Sequence, residues 1–259
     1  MSNYTSPYKS PYQIPYGTGA AASASTLADN LAAYFSWDNG ATTDSTENVT
    51  TSTEVSFLFS GTGVVAPTTN GAAYDNSNGA RIAISHAQLP LDDNSWTISA
   101  WAKRDFSTGF RHVMGQASSA GGSGRSVTTW YLGTNFDGGA PARFEFVNTS
   151  NATCGQCTDS GATWNDTNWH HFFISFNRDT AEMLLKQDGR TAITATANTG
   201  TPKTAGHSLK LFDSHAYYLA GGMDETAIWT GVVLDPSVGD WLYNSGSGRT
   251  YSEVIAYEL

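Results

Sequence analysis

Short segments with the character of β-strands recur from Leu27 to the end of the chain, separated by glycine-rich or polar turns. Their residues alternate between apolar and polar or are largely β-branched and aromatic, which is typical of strands and not of helices. The dipeptide Asp188-Gly189 also favours a type I′ hairpin turn. The pattern predicts strands at 31–37, 55–60, 80–85, 95–104, 111–116, 127–133, 142–148, 168–177, 181–187, 190–197, 207–212, 215–221 and 223–229.

One helix is indicated near the C-terminus, over residues 234–246. Asp235 is suited to the N-cap, Pro236 to the first helical position and Gly246 to the position past the end. Many short strands and a single short helix favour an all-β sandwich of two antiparallel sheets. Jelly rolls and Greek keys are the usual forms of such a domain.

The composition excludes several classes of protein. The net charge is −10 and the pI about 4.8, so nucleic acid and anionic membranes are poor partners. No apolar run approaches the length of about 20 residues that a transmembrane helix needs. The first residues also lack the apolar core of a secretory signal. We therefore expect either a signal removed ahead of Met1 or release without one, as for a virion protein freed by lysis.

The first 26 residues form a segment of their own. Three prolines each precede a tyrosine in YTSPYKSPYQIPYG, which excludes a helix and favours an extended chain. A spacing of four keeps all the tyrosine rings on one side of such a chain, and residues 17–26 follow as a hinge before a globular domain over 27–259. The segment is either a disordered terminus or an arm that docks in a groove of a partner. We predict the arm, with contacts from Tyr4, Tyr8, Tyr12 and Tyr16.

The only two cysteines are Cys154 and Cys157, in NATCGQCTDSG. A CxxC pair can be a redox motif or half of a zinc site. The redox motif normally lies at the start of a helix, and a zinc site needs two further ligands. We therefore favour a pair of loop thiols or a small disulfide, with zinc and redox chemistry as the alternatives.

Several segments follow one another in a recognisable order: AAYFSWD, GAAYDN with ARIAIS, WTISAWAKR, HVMGQ, WHHFFISFN, LLKQDGR, and GMDETAIW directly before the predicted helix. Together they resemble the laminin-G-like branch of the concanavalin A-like lectin and glucanase jelly rolls, over roughly residues 27–250. The resemblance implies a jelly roll of two curved antiparallel sheets with one short C-terminal helix, and the extended N-terminal arm lies outside it. It does not fix the function, because the fold carries lectins, adhesion modules, glycanases and virion proteins.

The residues argue against an enzyme. A retaining glycosidase needs two carboxylates about 5 Å apart, and the glucanases of the family supply them through an E-x-D-x-x-E string that is missing here. Asp224 and Glu225 are adjacent and would face opposite sides of a strand, whereas Glu145 stands alone in ARFEFVN. No nucleophile-elbow motif occurs either. We therefore expect a protein without catalytic activity.

The resemblance also suggests a structural calcium ion, which some relatives hold between an early and a late strand. The corresponding positions are Asp38 and Asp224, with carbonyl oxygens near Asp75. The alternative is that Asp38 and Asp75 are turn residues and that Asp224 accepts hydrogen bonds from backbone donors. No cofactor is required by the sequence.

Carbohydrate binding requires exposed aromatic rings beside polar groups. The candidates are aromatic residues in or next to predicted loops and an adjacent tyrosine pair in a late strand. For any single ring the favoured alternative is packing in the core, and the sequence does not identify which ring would contact a sugar. The predicted set is Trp130, Tyr131, Phe136, Trp164, Tyr217 and Tyr218.

The arm, the missing signal and the absence of paired catalytic acids together favour a structural role. We predict a decoration or tail adaptor protein on the surface of a virus particle, in the first instance a bacteriophage. Its arm would bind other virion proteins, its copies would assemble symmetrically, and its jelly-roll domain would bind host-surface polysaccharide. The alternative is a secreted or cell-surface carbohydrate-binding module of lectin type.

Overall fold

The structure is a computed structural model. It describes residues 26–38, 44–53, 73–75, 81–104, 111–118, 126, 128–134, 141–161, 164, 166–198, 200, 202–203, 206–213 and 219–259. The predicted tyrosine arm and the predicted strand at 55–60 lie outside these residues.

The described residues contain fourteen strands and two short α-helices. In chain order they are β1 (Leu31–Phe35), β2 (Thr51–Thr53), β3 (Ala73–Asp75), β4 (Ile82–Ile84), β5 (Trp96–Arg104), β6 (His112–Ala117), β7 (Thr128–Thr134), β8 (Ala142–Val147), β9 (Thr153–Thr158), β10 (His170–Asn177), β11 (Glu182–Gln187), β12 (Ile193–Thr196), β13 (Leu209–Leu211), β14 (Gly221–Thr230), α1 (Pro236–Tyr243) and α2 (Tyr251–Ile255).

The strands form two antiparallel sheets. Sheet I has the order β1-β14-β5-β10-β11-β12, with β3 also paired to β14, and sheet II has the order β2-β4-β13-β6-β7-β8-β9. Neighbours in space are often distant in sequence, as in the central pair of β14 with β5. This arrangement confirms the predicted all-β jelly-roll sandwich.

Aromatic side chains join the two sheets across the core. Trp96 of sheet I lies with its ring centroid 4.7 Å from that of Trp130 in sheet II. Phe176 of sheet I and Phe146 of sheet II are 4.3 Å apart in the same way. All four rings are buried. Burying each large apolar side chain contributes about 1.5–3 kcal/mol, so this aromatic layer is a main source of the stability of the sandwich.

The two helices cover the outer face of sheet I. The predicted N-cap of α1 is confirmed, because Asp235 Oδ1 accepts a hydrogen bond of 2.8 Å from the backbone N–H of Ser237. The helix ends at Asn244, which has the left-handed φ of 48°. Buried Val238 and Leu242 of α1 and Val254 of α2 belong to one apolar cluster with residues of the outer face of sheet I. The central strands of sheet I, β5 and β14, are therefore buried on both faces.

The chain enters the described fold beside its C-terminal residues. Thr26 forms an isolated antiparallel bridge with Glu258, and the backbone N–H of Leu27 donates to the carbonyl oxygen of Tyr257 at 3.0 Å. The Leu27 carbonyl accepts a 2.7 Å hydrogen bond from the indole of Trp229. Thr26 thus lies outside sheet I, on the side of the sandwich opposite to the outer face of sheet II.

Several predicted elements end elsewhere than expected. The strand predicted at 31–37 stops at Phe35, because Trp37 has a φ of 59°. Most of the strand predicted at 215–221 lies outside the described residues; Leu219 and Ala220 are not in a strand, and β14 begins at Gly221. The predicted hairpin at Asp188-Gly189 is confirmed by φ values of 50° and 66°.

His170 at the start of β10 lies between two carboxylates. Its Nδ1 is 2.6 Å from Asp188 Oδ2 and its Nε2 is 2.8 Å from Asp166 Oδ1. Burial lowers the pKa of His170, but the hydrogen bonds and charges of the two aspartates outweigh burial and raise this pKa above its usual 6.5. The stabilisation of the fold by protonated His170 and its two aspartates is therefore fully present below pH 6.5. It is lost as the pH rises through the raised pKa of His170.

We expect Asp166→Asn to lower the free energy of unfolding by about 0.5–1 kcal/mol at pH 6, with a smaller effect at pH 8.5, where a smaller fraction of the His170 imidazole is protonated. Urea unfolding at the two pH values measures this difference. Asp179→Asn, an exposed position in the β10–β11 turn, is the matched control. An equal cost of Asp166→Asn at both pH values would contradict the charged pairing.

Candidate functional site

The outer face of sheet II carries a cluster of polar side chains. Trp130 and Leu132 of β7 point into the core, so Tyr131 between them points outward. In β8, Phe144 and Phe146 point inward, so Glu145 points outward. Tyr131 and Glu145 are directly paired between the two strands. Register and alternation together bring these polar groups onto one face.

Glu145 is the centre of this cluster. Its Oε2 accepts a 2.9 Å hydrogen bond from Tyr131 Oη, and its Oε1 accepts one of 3.1 Å from Thr153 Oγ1. Arg143, two residues earlier in β8, forms an ion pair with the same carboxylate. The Glu145 side chain is fully buried, and that of Arg143 is 12% exposed. A buried carboxylate with these partners fixes the orientation of the guanidinium above it.

A glycine makes room for an aromatic stack in the same face. The rings of His112 and Tyr131 are stacked with centroids 4.2 Å apart and an interplanar angle of 18°. Gly133 is paired with His112 across β6 and β7. A Cβ atom at Gly133 would lie 2.7 Å from His112 Cδ2 and 2.4 Å from the Arg111 carbonyl oxygen. Any side chain at this position would therefore displace the stack or the backbone beside it.

The accessible part of the face lies over β8 and β9. Gln156 of β9 is opposite Glu145 and is exposed, and Thr158 is opposite Arg143 and is half-buried. The side-chain amide of Gln156 donates to Thr158 Oγ1 at 3.1 Å. A guanidinium, an amide and hydroxyl groups on rigid strands can donate and accept several hydrogen bonds toward a polyhydroxylated ligand. We call Arg143, Glu145, Thr153, Gln156 and Thr158 the β8–β9 polar face.

The prediction of exposed aromatic platforms is wrong for the residues that the structure describes. Trp130 and Trp164 have no exposed surface, and Tyr131 is 5% exposed. Trp130 fills the space between the sheets, whereas Trp164 packs on Phe172 with ring centroids 4.9 Å apart. Only Tyr131 faces the candidate site, as the support of Glu145. The other predicted rings, Phe136, Tyr217 and Tyr218, lie outside the described residues.

The predicted calcium ligands lie around β14. Asp75 of β3 is paired with Gly221, three residues before Asp224, and Asp38 follows shortly after β1, the other neighbour of β14. Asp224 is buried, and its Oδ1 accepts a 3.1 Å hydrogen bond from the backbone N–H of Glu225. Within the described part of the chain, no three or more His, Cys, Asp or Glu side chains are grouped so as to hold a metal ion. The calcium site stays a prediction.

The two cysteines lie in a strand, which corrects the predicted loop. Both belong to β9, are buried and are not linked by a disulfide. Cys154 Sγ donates to the Gly200 carbonyl at 3.2 Å, and Cys157 Sγ to the Met183 carbonyl at 3.6 Å. Burial raises the pKa of the Cys157 thiol to about 12, so this thiol is an inert part of the core.

A buried acid with an unusual pKa, which the sequence did not predict, lies on the other side of the sandwich. Glu225 interrupts the regular pairing of β14 with β5 and has a φ of 43°. Its Oε2 accepts a short hydrogen bond from Tyr34 Oη. Burial, followed by the charges of Asp224 and Asp38, raises the pKa of Glu225 to about 9. Glu225 is therefore a neutral carboxylic acid at pH 7.

The space beside Glu225 is too small for a substrate. A cavity of about 10 Å³ is lined there by Tyr34, Ser99, Trp101 and Arg249 among others. A volume of about 10–15 Å³ is needed to hold a single water molecule. Ser99 Oγ lies 2.8 Å from Nε2 of buried His171, so this serine and histidine are paired inside the protein and away from solvent. We interpret the region as structural.

The fold and the sequence together define the class of the protein. The family model Laminin_G_3, described as concanavalin A-like lectin/glucanases superfamily, matches residues 75–239, and the chain belongs to this family. The resemblance seen in the sequence is confirmed. A comparison with curated proteins found no match. Among the described residues, no helix is long and apolar enough to cross a membrane.

Solved structures with the same fold include several toxin binding domains. The binding domain of Botulinum Neurotoxin DC in complex with SialylT shares 13% identity at a TM-score of 0.60, over 85% of this chain and 52% of that one. The binding domain of Paraclostridial Mosquitocidal Protein 1 shares 15% identity at a TM-score of 0.61, over 85% and 53%. The binding domain of Botulinum neurotoxin DC in complex with rat synaptotagmin II shares 12% identity at a TM-score of 0.58, over 85% of this chain and 52% of that one.

The chain spans about half the length of each of these solved chains. At this level of identity the similarity shows the fold alone. The ligands named for those proteins were bound to chains about twice as long, so the similarity does not say which half contacts them.

Proposed function

We propose that the protein is a non-enzymatic, lectin-like domain that binds carbohydrate through the β8–β9 polar face. The observation that carries the proposal is the buried Glu145, which holds Arg143 in place beside exposed Gln156. Fixed donors and acceptors of this kind are suited to a hydroxyl-rich ligand, because the protein side chains lose little conformational entropy when the ligand binds. The position on a strand rather than a loop adds to the rigidity of the site.

The comparisons support this proposal in general terms. The family is a lectin and glucanase superfamily, and one neighbour is a binding domain in complex with SialylT. The described acids do not favour the glucanase alternative. Glu145 is engaged by three partners, and Glu225 is buried beneath the C-terminal helices. A glycosidase needs two carboxylates on opposite sides of one accessible bond.

A glycan array tests the proposal. We expect the labelled full chain to bind at least one immobilised neutral or sialylated oligosaccharide saturably, and to leave the glycan intact after prolonged incubation. Loss of glycan mass during incubation would instead indicate an enzyme. Absence of saturable binding across host and bacterial polysaccharides would contradict a lectin.

A second proposal concerns where the domain is displayed. We propose attachment through residues 1–25 to other proteins of a virus particle or cell surface. Two observations favour it: the tyrosine spacing in the sequence, and the position of Thr26 outside sheet I. An anchor that joins the domain there directs the β8–β9 polar face away from the attachment point. The virion is the first choice, and an extracellular or cell-surface location is the alternative.

The attachment proposal predicts a specific loss. Replacing Tyr4, Tyr8, Tyr12 and Tyr16 by serine in the full chain should abolish co-sedimentation with purified particles, because four large contact surfaces are removed together. Gln156→Ala, on the opposite side of the sandwich, is the control and should co-sediment normally. Equal co-sedimentation of the serine variant would contradict the role of the tyrosines.

A further inference from the structure

Exposed apolar side chains are concentrated near the C-terminus. Among the described residues, the exposed large hydrophobic side chains are Val233, Ile255 and Leu259, with exposures of 39%, 37% and 49%. Ile255 and Leu259 flank Tyr257 in the sequence, and Tyr257 is itself half-buried. The rest of the described surface is polar by comparison, so this region stands out as an apolar face without an assigned role.

Two aromatic rings and a cation form the centre of this face. The rings of Tyr257 and Trp241 lie with centroids 4.1 Å apart. The Arg249 guanidinium lies over the Trp241 ring, with Cζ 4.8 Å from the ring centroid. Both rings are only half-buried. We call Trp241, Arg249, Ile255, Tyr257 and Leu259 the C-terminal aromatic surface.

Hydrogen bonds hold this surface in a fixed geometry. Arg249 Nε donates to the Trp241 carbonyl at 3.2 Å, and Arg249 Nη1 pairs with Glu253 Oε1 at 3.0 Å. The Tyr257 carbonyl accepts from the Leu27 backbone N–H at 3.0 Å. A surface that is already ordered loses little entropy when a ligand binds to it.

The N-terminal segment joins the described fold beside this surface. Thr26 is bridged to Glu258, the neighbour of Tyr257. Tyr16 precedes Thr26 by only ten residues, a contour length of about 33 Å. A short connection of this kind gives an effective concentration in the range of about 1 mM. Even weak contacts between residues 1–25 and the surface would then be populated within one chain.

The chemistry of the segment matches the surface. Pro7, Pro11 and Pro15 are each followed by tyrosine, and Lys9 is the only charged side chain among residues 1–25. Aromatic-lined surfaces bind proline-rich chains, because such a chain is extended before it binds and loses little entropy. Exposed Glu258 adjoins Tyr257 and is bridged to Thr26, and it carries the charge opposite to that of Lys9.

We propose that the proline- and tyrosine-rich N-terminal segment of the chain docks on its own C-terminal aromatic surface. In this arrangement the free protein keeps its arm on the domain until a partner competes for it. The proposal concerns the protein before attachment and does not depend on carbohydrate binding.

Hydroxyl-radical footprinting of the full chain, read by mass spectrometry, tests the contact. We expect Trp241 and Tyr257 to be oxidised about fourfold faster when Tyr4, Tyr8, Tyr12 and Tyr16 are all replaced by serine, since a segment docked for most of the time shields both rings. Trp169 is half-buried near Lys103 in another part of the molecule and is the internal control. Its oxidation rate should be the same in both proteins.

Two results would overturn the proposal. Equal oxidation of Trp241 and Tyr257 in both proteins would show that the segment does not cover the surface. Protection that disappears on tenfold dilution would show that the segment of a second copy, and not of the same chain, occupies it. Protection that is independent of concentration supports the intramolecular contact.

Discussion

Glu225→Gln is expected to remove the loss of stability that Glu225 causes in the natural protein as the pH rises from 4.5 to 9. The folded protein keeps Glu225 protonated up to a pKa of about 9, whereas the ordinary value is 4.5. The glutamine side chain would have nearly the same shape without a titrating proton. It can still accept the hydrogen bond of Tyr34 Oη.

The sign of this effect follows from proton binding. Between pH 4.5 and 9 the unfolded chain has released the proton of this carboxyl group and the folded chain still holds it. The contribution of Glu225 to the free energy of unfolding is therefore fully present below pH 4.5. It falls by up to about 1.4 kcal/mol per pH unit until the folded pKa is reached. Over the whole window the loss amounts to several kcal/mol, and Glu225→Gln should be the more stable protein at pH 8.

Urea unfolding of the natural protein and of Glu225→Gln at half-unit steps of pH measures the difference. Glu182→Gln, an exposed position at the start of β11, is the control and should follow the natural protein throughout. Parallel pH profiles of the natural protein and Glu225→Gln would show that Glu225 is ionised in the folded state.

Arg143→Lys combined with Gln156→Ala is expected to weaken binding of an array-identified glycan by at least about tenfold, with little change in stability. Lysine retains the charge beside Glu145 but lacks the planar fork of donors. Gln156 is exposed, so its truncation costs the fold little. Losing hydrogen bonds from a charged and a neutral donor corresponds to about 2 kcal/mol or more.

Calorimetric titration of the double variant with the same glycan measures this loss. Thr194→Ala, an exposed position in β12 of sheet I, is the control and should bind with unchanged affinity. Unchanged affinity of the double variant would place the ligand elsewhere. Equal losses in the double variant and in Thr194→Ala would indicate a general effect of substitution.

The elements with strong periodicity were predictable from the sequence. β5 and β10 have long aromatic and β-branched patterns, and α1 has the Asp235-Pro236 start signal. β9 was missed because TCGQCT has β-branched threonine only at its two ends, with no aromatic residue and with glycine and glutamine in the middle. Helix α2 was missed although Thr250 and Glu253 form a capping box, since the helix that begins after Thr250 is only five residues long.

The site was harder to predict than the fold. Trp130 is flanked by polar and aromatic residues, and its burial follows only from the face of β7 that meets sheet I. Glu145 appeared isolated because two of its three partners, Tyr131 and Thr153, come from other strands. Cross-strand register determines such clusters. The register between strands that are distant in the sequence cannot be inferred from a local residue pattern.

Hydrogen–deuterium exchange of the full chain, with and without the array-identified glycan, tests the central claim most directly. Bound ligand should slow amide exchange in β8 and β9, over residues 142–158, and leave β11, β12 and the C-terminal helices unchanged. Saturable binding with protection confined to sheet I or to the C-terminal helices would contradict a lectin site on the outer face of sheet II.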